Sequence, residues 1–273
     1  MTDFKPKILD KNNILVVDAL NLAFRWKHSG QTQFVDDYLK TVRSLARSYE
    51  CGTIVIAADQ GGSVYRREIF PEYKANRKEL YKDDTPAQKE ITRKFFDEYE
   101  RVLEACDREF TLLRYNGVEA DDIAAHIVAK RAELGYDQIW LISSDRDWDL
   151  LVGTHVHRFS TVTRKEQTLD TWDNPVSPKY YLTYKCLIGD KGDNIPGVDG
   201  VGPKRAESII AEYGDIFDIC DAIPLPGKYK YIQSLNSSRD QLLANVELMD
   251  LVTFSEEAVG SQNIFDLEDR IAR

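Results

Sequence analysis

Three short apolar runs rich in β-branched residues punctuate the chain, and each ends at an aspartate. The run NNILVVDALN meets Asp18, TIVIAAD ends at Asp59, and QIWLISSD ends at Asp145. Each run is nearly continuous in hydrophobicity, the pattern of a strand buried on both faces of a parallel sheet. Between them, residues 35–49 (VDDYLKTVRSLARSY) and 123–134 (IAAHIVAKRAEL) carry helical patterns. Strands alternating with helices predict an α/β fold. In such sheets the ligand crevice lies outside the carboxyl ends of the strands. Asp18 taken singly reads equally well as a helix N-cap, but three such aspartates in succession are harder to assign to capping.

Residues 70–110 break the pattern. They open with the basic, polar stretch PEYKANRKELYKDD and continue as the long helical pattern AQKEITRKFFDEYERVLEAC. An insertion this long between two strands is usually functional or disordered. From about Tyr180 the chain holds two glycine- and aspartate-rich motifs and then a helical end, with no internal repeat. The length of 273 residues suits one large domain with a small appendage.

No apolar run approaches a membrane span, and Ile14–Val17 is too short for a signal sequence. The expectation is a soluble protein of the cytoplasm with no membrane partner. The four cysteines, at 51, 106, 186 and 220, include no Cys-x-x-Cys pair, which predicts free, buried thiols rather than disulfides or zinc. The net charge of −10 argues, alone, against nucleic acid. Charge is segregated, however: Lys74, Arg77, Lys78, Lys82, Lys89, Arg93 and Lys94 face only four acids between positions 74 and 94. That strip suits a polyanion, although on charge alone a solvated, salt-bridged helix face explains it.

The acids concentrate elsewhere. GVEADD supplies Glu119, Asp121 and Asp122 at a helix start, where Glu119 and Asp122 share a face. SSDRDWD supplies Asp145 and Asp147, and GDKGDN supplies Asp190 and Asp193. With Asp18 and Asp59 these make nine acids in five motifs. Two carboxylates at 4 Å cost about 4 kcal/mol at an effective dielectric of 20, so convergence of all nine requires cations. Oxygen ligands without His or Cys point to Mg²⁺ or Mn²⁺ rather than zinc. Two ions roughly 3.5–4 Å apart would use so many ligands and suit in-line attack on a phosphodiester. Asp149, nearby, reads as a helix cap or surface acid.

In IPGVDGVGPKRAESIIAEYG, Gly197, Gly200 and Gly202 bracket a turn, Pro203 suits the first position of a helix, and Lys204 and Arg205 add charge. This is a helix–hairpin–helix pattern for gripping a DNA backbone through N–H groups; an ordinary helical turn is the plainer reading of the glycines alone. In PEYKANR, Lys74 and Arg77 suit phosphate charge and Tyr73 suits base stacking; in isolation the segment reads as an exposed basic loop.

The motifs VVDALN, AADQG, PEYKANR, GVEADD, SSDRDWD and GDKGDNIPGVDGVGPKRA, in this order, resemble the 5′-nucleases. These include the phage 5′–3′ exonuclease/flap endonucleases and the 5′-nuclease domain of bacterial DNA polymerase I. The likeness runs from about Asn13 to Lys230 and is closest to the phage enzymes. It implies a PIN-like, parallel-sheet α/β catalytic domain over 1–180 with a helical arch over about 70–110. It implies a helix–three-turn–helix DNA-binding region with C-terminal helices over 181–273. All nine acids would hold two Mg²⁺ ions, with Mn²⁺ as a substitute, and the hairpin would hold a K⁺. Lys74 and Arg77 would contact the scissile phosphate. Arg146 stands where relatives commonly carry glycine.

The resulting expectation is a free-standing, monomeric 5′–3′ exonuclease and 5′-flap endonuclease of replication and repair. It would hydrolyse branched or 5′-ended DNA by a two-metal route to 5′-phosphate and 3′-hydroxyl ends, with Asp145 and Asp147 among the catalytic residues. Three rival readings differ from it in what they require. A PIN-type ribonuclease would need neither the hairpin nor the basic arch, and a non-catalytic DNA-structure binder would show a broken acid set. A phosphatase of the Asp-x-Asp type would need an acid at position 20, which is Leu20.

Overall fold

The computed structural model of the chain describes residues 9–77 and 85–272. In chain order it runs β1 (Asp10–Asp18), α1 (Ala19–Ser29), α2 (Val35–Ser48), β2 (Cys51–Ala57), α3 (Val64–Ile69) and α4 (Pro86–Glu109). There follow β3 (Thr111–Leu113), α5 (Ala120–Ala129), β4 (Gln138–Ile142), a 3-10 turn (Arg146–Leu151), β5 (Val156–Phe159) and β6 (Glu166–Gln167). The remainder is α6 (Pro178–Ile188), β7 (Gly189–Asp190), β8 (Ile195–Pro196), α7 (Pro203–Tyr213), α8 (Ile216–Ala222), α9 (Lys230–Asn236), α10 (Arg239–Met249), α11 (Ser255–Val259) and α12 (Ser261–Ile271). Two compact units form: Met1–Ser63, Asp84–Thr171 and Ser255–Arg273 make the first, and Val64–Asp83 with Trp172–Phe254 make the second. Residues 255–272, expected to belong with 181–254, thus group with the first unit, and 64–77 group with the second.

The first unit is built on a six-stranded sheet of order β3-β2-β1-β4-β5-β6, parallel except for β6. The three apolar runs are β1, β2 and β4, which are neighbours. Val16 and Val17 of β1 are wholly buried, as are Val55 and Ile56 of β2 and Leu141 and Ile142 of β4. The expected two-sided burial is therefore observed. Leu15, Val17, Ile56 and Ile142 join Leu22, Trp26, Phe34, Tyr38 and Val42 of the α1–α2 region in one core. The C-terminal part of α4 adds Phe95, Tyr99, Val102, Leu103 and Cys106. Residues 86–91, at the other end of α4, are exposed. Thr85 starts this helix with a capping box, its hydroxyl receiving the Gln88 N–H at 3.3 Å.

The helix expected over 35–49 is α2 to within a residue. The one expected over 123–134 is α5, but it starts at Ala120 and ends at Ala129, because acids at positions 119–122 begin it earlier. Lys130–Gly135 is instead wound into turns that end at Gly135, whose φ of 76° falls in the left-handed region. β3, β5 and β6 were not anticipated; at three, four and two residues they carry too little pattern to read. The C-terminal helices brace α5 and the turn after it: Lys130 pairs with Glu256 (2.9 Å), His126 Nε2 lies 2.9 Å from Glu268 Oε1, and the Tyr136 hydroxyl donates to Ile271 O (2.7 Å).

In the second unit α6 and α7 flank the short β7–β8 hairpin and the turn after it. Asn245 of α10 ties the hairpin to α6 by donating to Cys186 O (3.0 Å) and Pro196 O (2.8 Å). All four cysteines are free and buried. No described helix is long and apolar enough to cross a membrane.

Candidate active site

Parallel register brings the strand-end acids of the first unit to one edge. Asp18 sits opposite Ala57, two residues before Asp59, and Val17 sits opposite Ile142, three before Asp145. All three aspartates also cap backbone. Asp18 receives the Asn21 N–H (3.1 Å), Asp59 the Ala120 N–H that opens α5 (2.6 Å), and Asp145 the Asp147 N–H (2.9 Å). Capping and ion binding are compatible, since a carboxylate has about four lone-pair sites.

Electrostatics decides whether capping is the whole account. A cap hydrogen bond stabilises the charged form and lowers a carboxyl pKa. Asp18 shows the reverse, pushed up from 3.8 to about 7. Burial is the largest cause, the Asp59 charge the next, and Asp145 adds to both; bonds from Asn21 and Ser143 pull the other way without prevailing. Holding Asp18 ionised therefore costs on the order of 4 kcal/mol, against about 1 kcal/mol gained from a cap. A bound cation would relieve that cost. Ser143 Oγ donates to Asp18 Oδ2 (2.8 Å) and receives the Asp145 N–H (3.1 Å), so one hydroxyl fixes both acids.

The GVEADD acids start α5. Glu119 and Asp122 are buried, and Asp122 Oδ2 receives the Glu119 N–H at 3.2 Å. Asp121 accepts from the indole N–H of Trp148, which is wholly buried. Asp145 is exposed and Asp147 half-buried. Among the described residues no three Asp, Glu, His or Cys side chains close into a metal cage; Asp18, Asp59 and Asp145 are coupled through charge. Asp149 corrects its expectation as a cap or surface acid. It is buried and ion-paired with Arg158, whose other arm donates to Ser143 O (3.0 Å). Burying Asp149 requires that guanidinium.

Asp190 and Asp193 belong to the second unit, where each is held by a cation. Lys185 Nζ lies 2.8 Å from Asp190, which also receives the Gly192 and Asp193 N–H groups (2.7 and 3.2 Å). Burial pushes the Asp190 carboxyl up, but Lys185 and these N–H groups outweigh it and hold it below its ordinary value. Asp193 accepts from Arg77 (2.8 Å) and the Tyr73 hydroxyl (3.1 Å), with Lys74 Nζ at 3.6 Å. Its carbonyl receives the Lys74 N–H (2.9 Å). Lys74 has φ 56°, an unusual conformation for a residue with a side chain. Tyr73 corrects its assignment as a stacking residue. It is 4% exposed, with Lys74 Nζ 4.8 Å from its ring centroid, so its face is covered. Lys78 and Lys82 of the basic strip lie outside the described residues.

The hairpin glycines divide by role. A Cβ on Gly197 would stand 2.3 Å from the Ile188 carbonyl, so this glycine serves backbone packing rather than approach to a phosphate. Gly200 has φ 77° and lies against Tyr231. Gly202, the N-cap of α7, has nothing within 4 Å of a Cβ and is open to a ligand. Lys204 and Arg205 are exposed; Arg205 packs on the Tyr231 ring (4.7 Å) and donates to Gly200 O.

Residues 13–180 match the family model described as the 5′-3′ exonuclease, N-terminal resolvase-like domain, and residues 176–265 match that of the 5′-3′ exonuclease, C-terminal SAM fold. The chain belongs to the 5′–3′ exonuclease family. It is a structure-specific 5′ nuclease. It is 42% identical to the flap endonuclease of Escherichia phage T5, over 96% of this chain and 92% of that protein. A solved structure of the T5 flap endonuclease, described as a pseudo-enzyme-product complex with DNA and metal ions, superposes with a TM-score of 0.90. It is 42% identical, covering 95% of this chain and 97% of that one. A DNA polymerase I of Mycobacterium tuberculosis is 30% identical over 89% of this chain, a match that spans 27% of the polymerase.

Within this 5′ nuclease several site-shaping residues escaped the sequence reading. Asn21 and Ser143 stand inside the quoted motifs, but only the fold shows that they orient Asp18 and Asp145. Trp148 also stands inside a quoted motif, while Lys185 and Arg158 lie outside them, and none of the three carries a signal in the sequence for the acid it meets in the fold.

Proposed function

We propose that the chain cuts DNA at 5′ flaps and trims it from 5′ ends, using divalent ions held at the strand-end carboxylates of the first unit. The observation that carries this reading is the parallel register that brings Asp18, Asp59 and Asp145 to one edge of the sheet, where burial and the charges of Asp59 and Asp145 push the Asp18 carboxyl up to about 7. The donors are hard oxygens, which fits Mg²⁺, with Mn²⁺ as a substitute. When bound, such ions supply Lewis acidity for water attack and for the leaving 3′-oxygen of a phosphodiester.

The chain's own residues orient the chemistry. Asn21 and Ser143 fix Asp18, the start of α5 fixes Asp59, and Ser143 with the 3-10 turn fixes Asp145. In the second unit, Lys74 and Arg77 would exchange Asp193 for a DNA phosphate. The open backbone at Gly202 with Lys204 would grip duplex DNA, with K⁺ proposed at the same turn.

The test is digestion of a 5′-flap DNA duplex and of a matching RNA, in Mg²⁺ with and without chelator, with product ends identified. The expected result is preferential DNA cleavage near the junction, with 5′-phosphate and 3′-hydroxyl ends, abolished by chelator. Preferential RNA cleavage, or cleavage that persists in chelator, contradicts the proposal.

A further inference from the structure

α4 carries a phenol that the first unit leaves unsatisfied. Tyr99 is 4% exposed and packs in the core shared by β1, β2, α1, α2 and α4. Among the described residues its buried hydroxyl has no hydrogen-bond partner. Other buried phenols of this unit find acceptors: Tyr38 donates to Ala19 O (3.2 Å) and Tyr136 to Ile271 O (2.7 Å). A phenylalanine would fill the same space without an unpaired polar atom, so the Tyr99 hydroxyl costs stability where it stands.

The surroundings of Tyr99 place it under the carboxylate edge. Its core neighbours include Ala19, which follows Asp18, and Ala58, which precedes Asp59. The Ala58 N–H donates to Leu113 O (3.0 Å), which sets Arg114 at the same corner. Arg114 gives both terminal nitrogens to Glu100 (2.8 Å each), the residue after Tyr99. Its Nε is buried and, among the described residues, has no hydrogen-bond partner. Two buried donors without acceptors thus stand close to the strand end that leads to Asp59.

The phenol keeps its proton through the neutral range and so remains a donor. Burial pushes its pKa well above the ordinary value, the charges of Asp59 and then Asp18 add to the rise, and Arg114 opposes it. The hydroxyl therefore feels both acids while bonding neither. Asp59 receives the Ala120 N–H on Oδ1 (2.6 Å). A carboxylate that also ligates an ion is oriented by hydrogen bonds to its remaining lone pairs.

We propose that Tyr99 is a positioning residue of the nuclease, its hydroxyl donating to the Asp59 carboxylate when that acid is committed to a divalent ion. The bond joins a neutral donor to an ionised acceptor, which is stronger than a bond between neutral groups. It satisfies the hydroxyl only in the ion-loaded protein. Tyr99 thus favours that state twice, by destabilising the protein without ions and by fixing Asp59 in the protein with them. The inference rests on the reading that Asp18, Asp59 and Asp145 hold divalent ions, and adds the α4 residue that orients one of these acids.

The test is thermal unfolding in EDTA together with calorimetric titration of Mn²⁺, on the full chain and on its Tyr99→Phe and Tyr136→Phe variants. Tyr99→Phe should keep or raise Tm in EDTA, because it deletes a buried hydroxyl and no bond. It should also weaken Mn²⁺ binding about tenfold. Tyr136→Phe deletes a hydroxyl already bonded to Ile271 O, so it should lower Tm and keep the wild-type affinity. Unchanged Mn²⁺ affinity in Tyr99→Phe overturns the proposal, as does a Tm in EDTA lowered as far as that of Tyr136→Phe. In either case a wild type that binds Mn²⁺ leaves the nuclease reading intact. A wild type that binds no Mn²⁺ overturns the reading beneath and the proposal with it.

Discussion

Asp18 is the residue on which burial, capping and like-charge repulsion meet, and its perturbation has a sign that can be tested. Its folded pKa of about 7 exceeds the unfolded 3.8, so the folded state holds the extra proton between those values. Stability of the metal-free protein should therefore fall as pH rises from about 4 to 7, by up to about 4 kcal/mol from this group. Asp18→Asn should remove that penalty, raising Tm in EDTA at pH 8 while abolishing cleavage; a lower Tm would show that the charge is not under strain. A divalent ion competes with the same proton, so the Tm rise produced by Mg²⁺ should be larger at pH 8 than at pH 5.5, and an equal rise would count against Asp18 as a ligand. Arg158→Ala should cost about 3 kcal/mol by denaturant unfolding, because it takes the guanidinium from buried Asp149; a loss under 1 kcal/mol would contradict the pairing. At this scale the sequence was legible for the acids and silent about their partners. Asp18, Asp59 and Asp145 were marked by the apolar runs before them. Tyr73 and Asp149 misled because an aromatic in a basic loop and an acid beside a motif both look exposed until packing is known.

The strands were readable as elements because two-sided burial leaves an uninterrupted apolar run, as in β1, β2 and β4. α2 and α4 were readable because each buries one face of a long helical repeat. β3, β5 and β6 are too short to carry a period, and their pairing is set by neighbours distant in sequence. The hairpin shows the limit most directly, since its glycines look alike in sequence and differ in space. Gly197→Ala should lower Tm sharply, because its Cβ would meet the Ile188 carbonyl at 2.3 Å and backbone would have to shift. Gly202→Ala should leave Tm within a few degrees, its Cβ meeting nothing within 4 Å and an N-cap Gly→Ala change costing under about 1 kcal/mol. It should nevertheless weaken duplex binding. Thermal unfolding of both variants with duplex titration of the second checks this, and the opposite ordering of Tm would contradict the division of roles.

For the whole molecule, net charge was a poor guide to partner. The total of −10 averages over segregated charge: nine acids fall in five short motifs, while seven basic residues lie between positions 74 and 94 against only four acids. The two compact units are each discontinuous in sequence, so a single cut near residue 180 could not anticipate that 255–272 group with the sheet-bearing unit. The claim on which the account turns is that the acids ending β1, β2 and β4 hold divalent ions. Titration of the protein with Mn²⁺, followed by electron paramagnetic resonance of the free ion, measures this directly. The account predicts two bound Mn²⁺ for the wild type, with at least one lost or greatly weakened in Asp59→Asn and in Asp145→Asn. Equal number and affinity of bound ions in the wild type and both variants would contradict it.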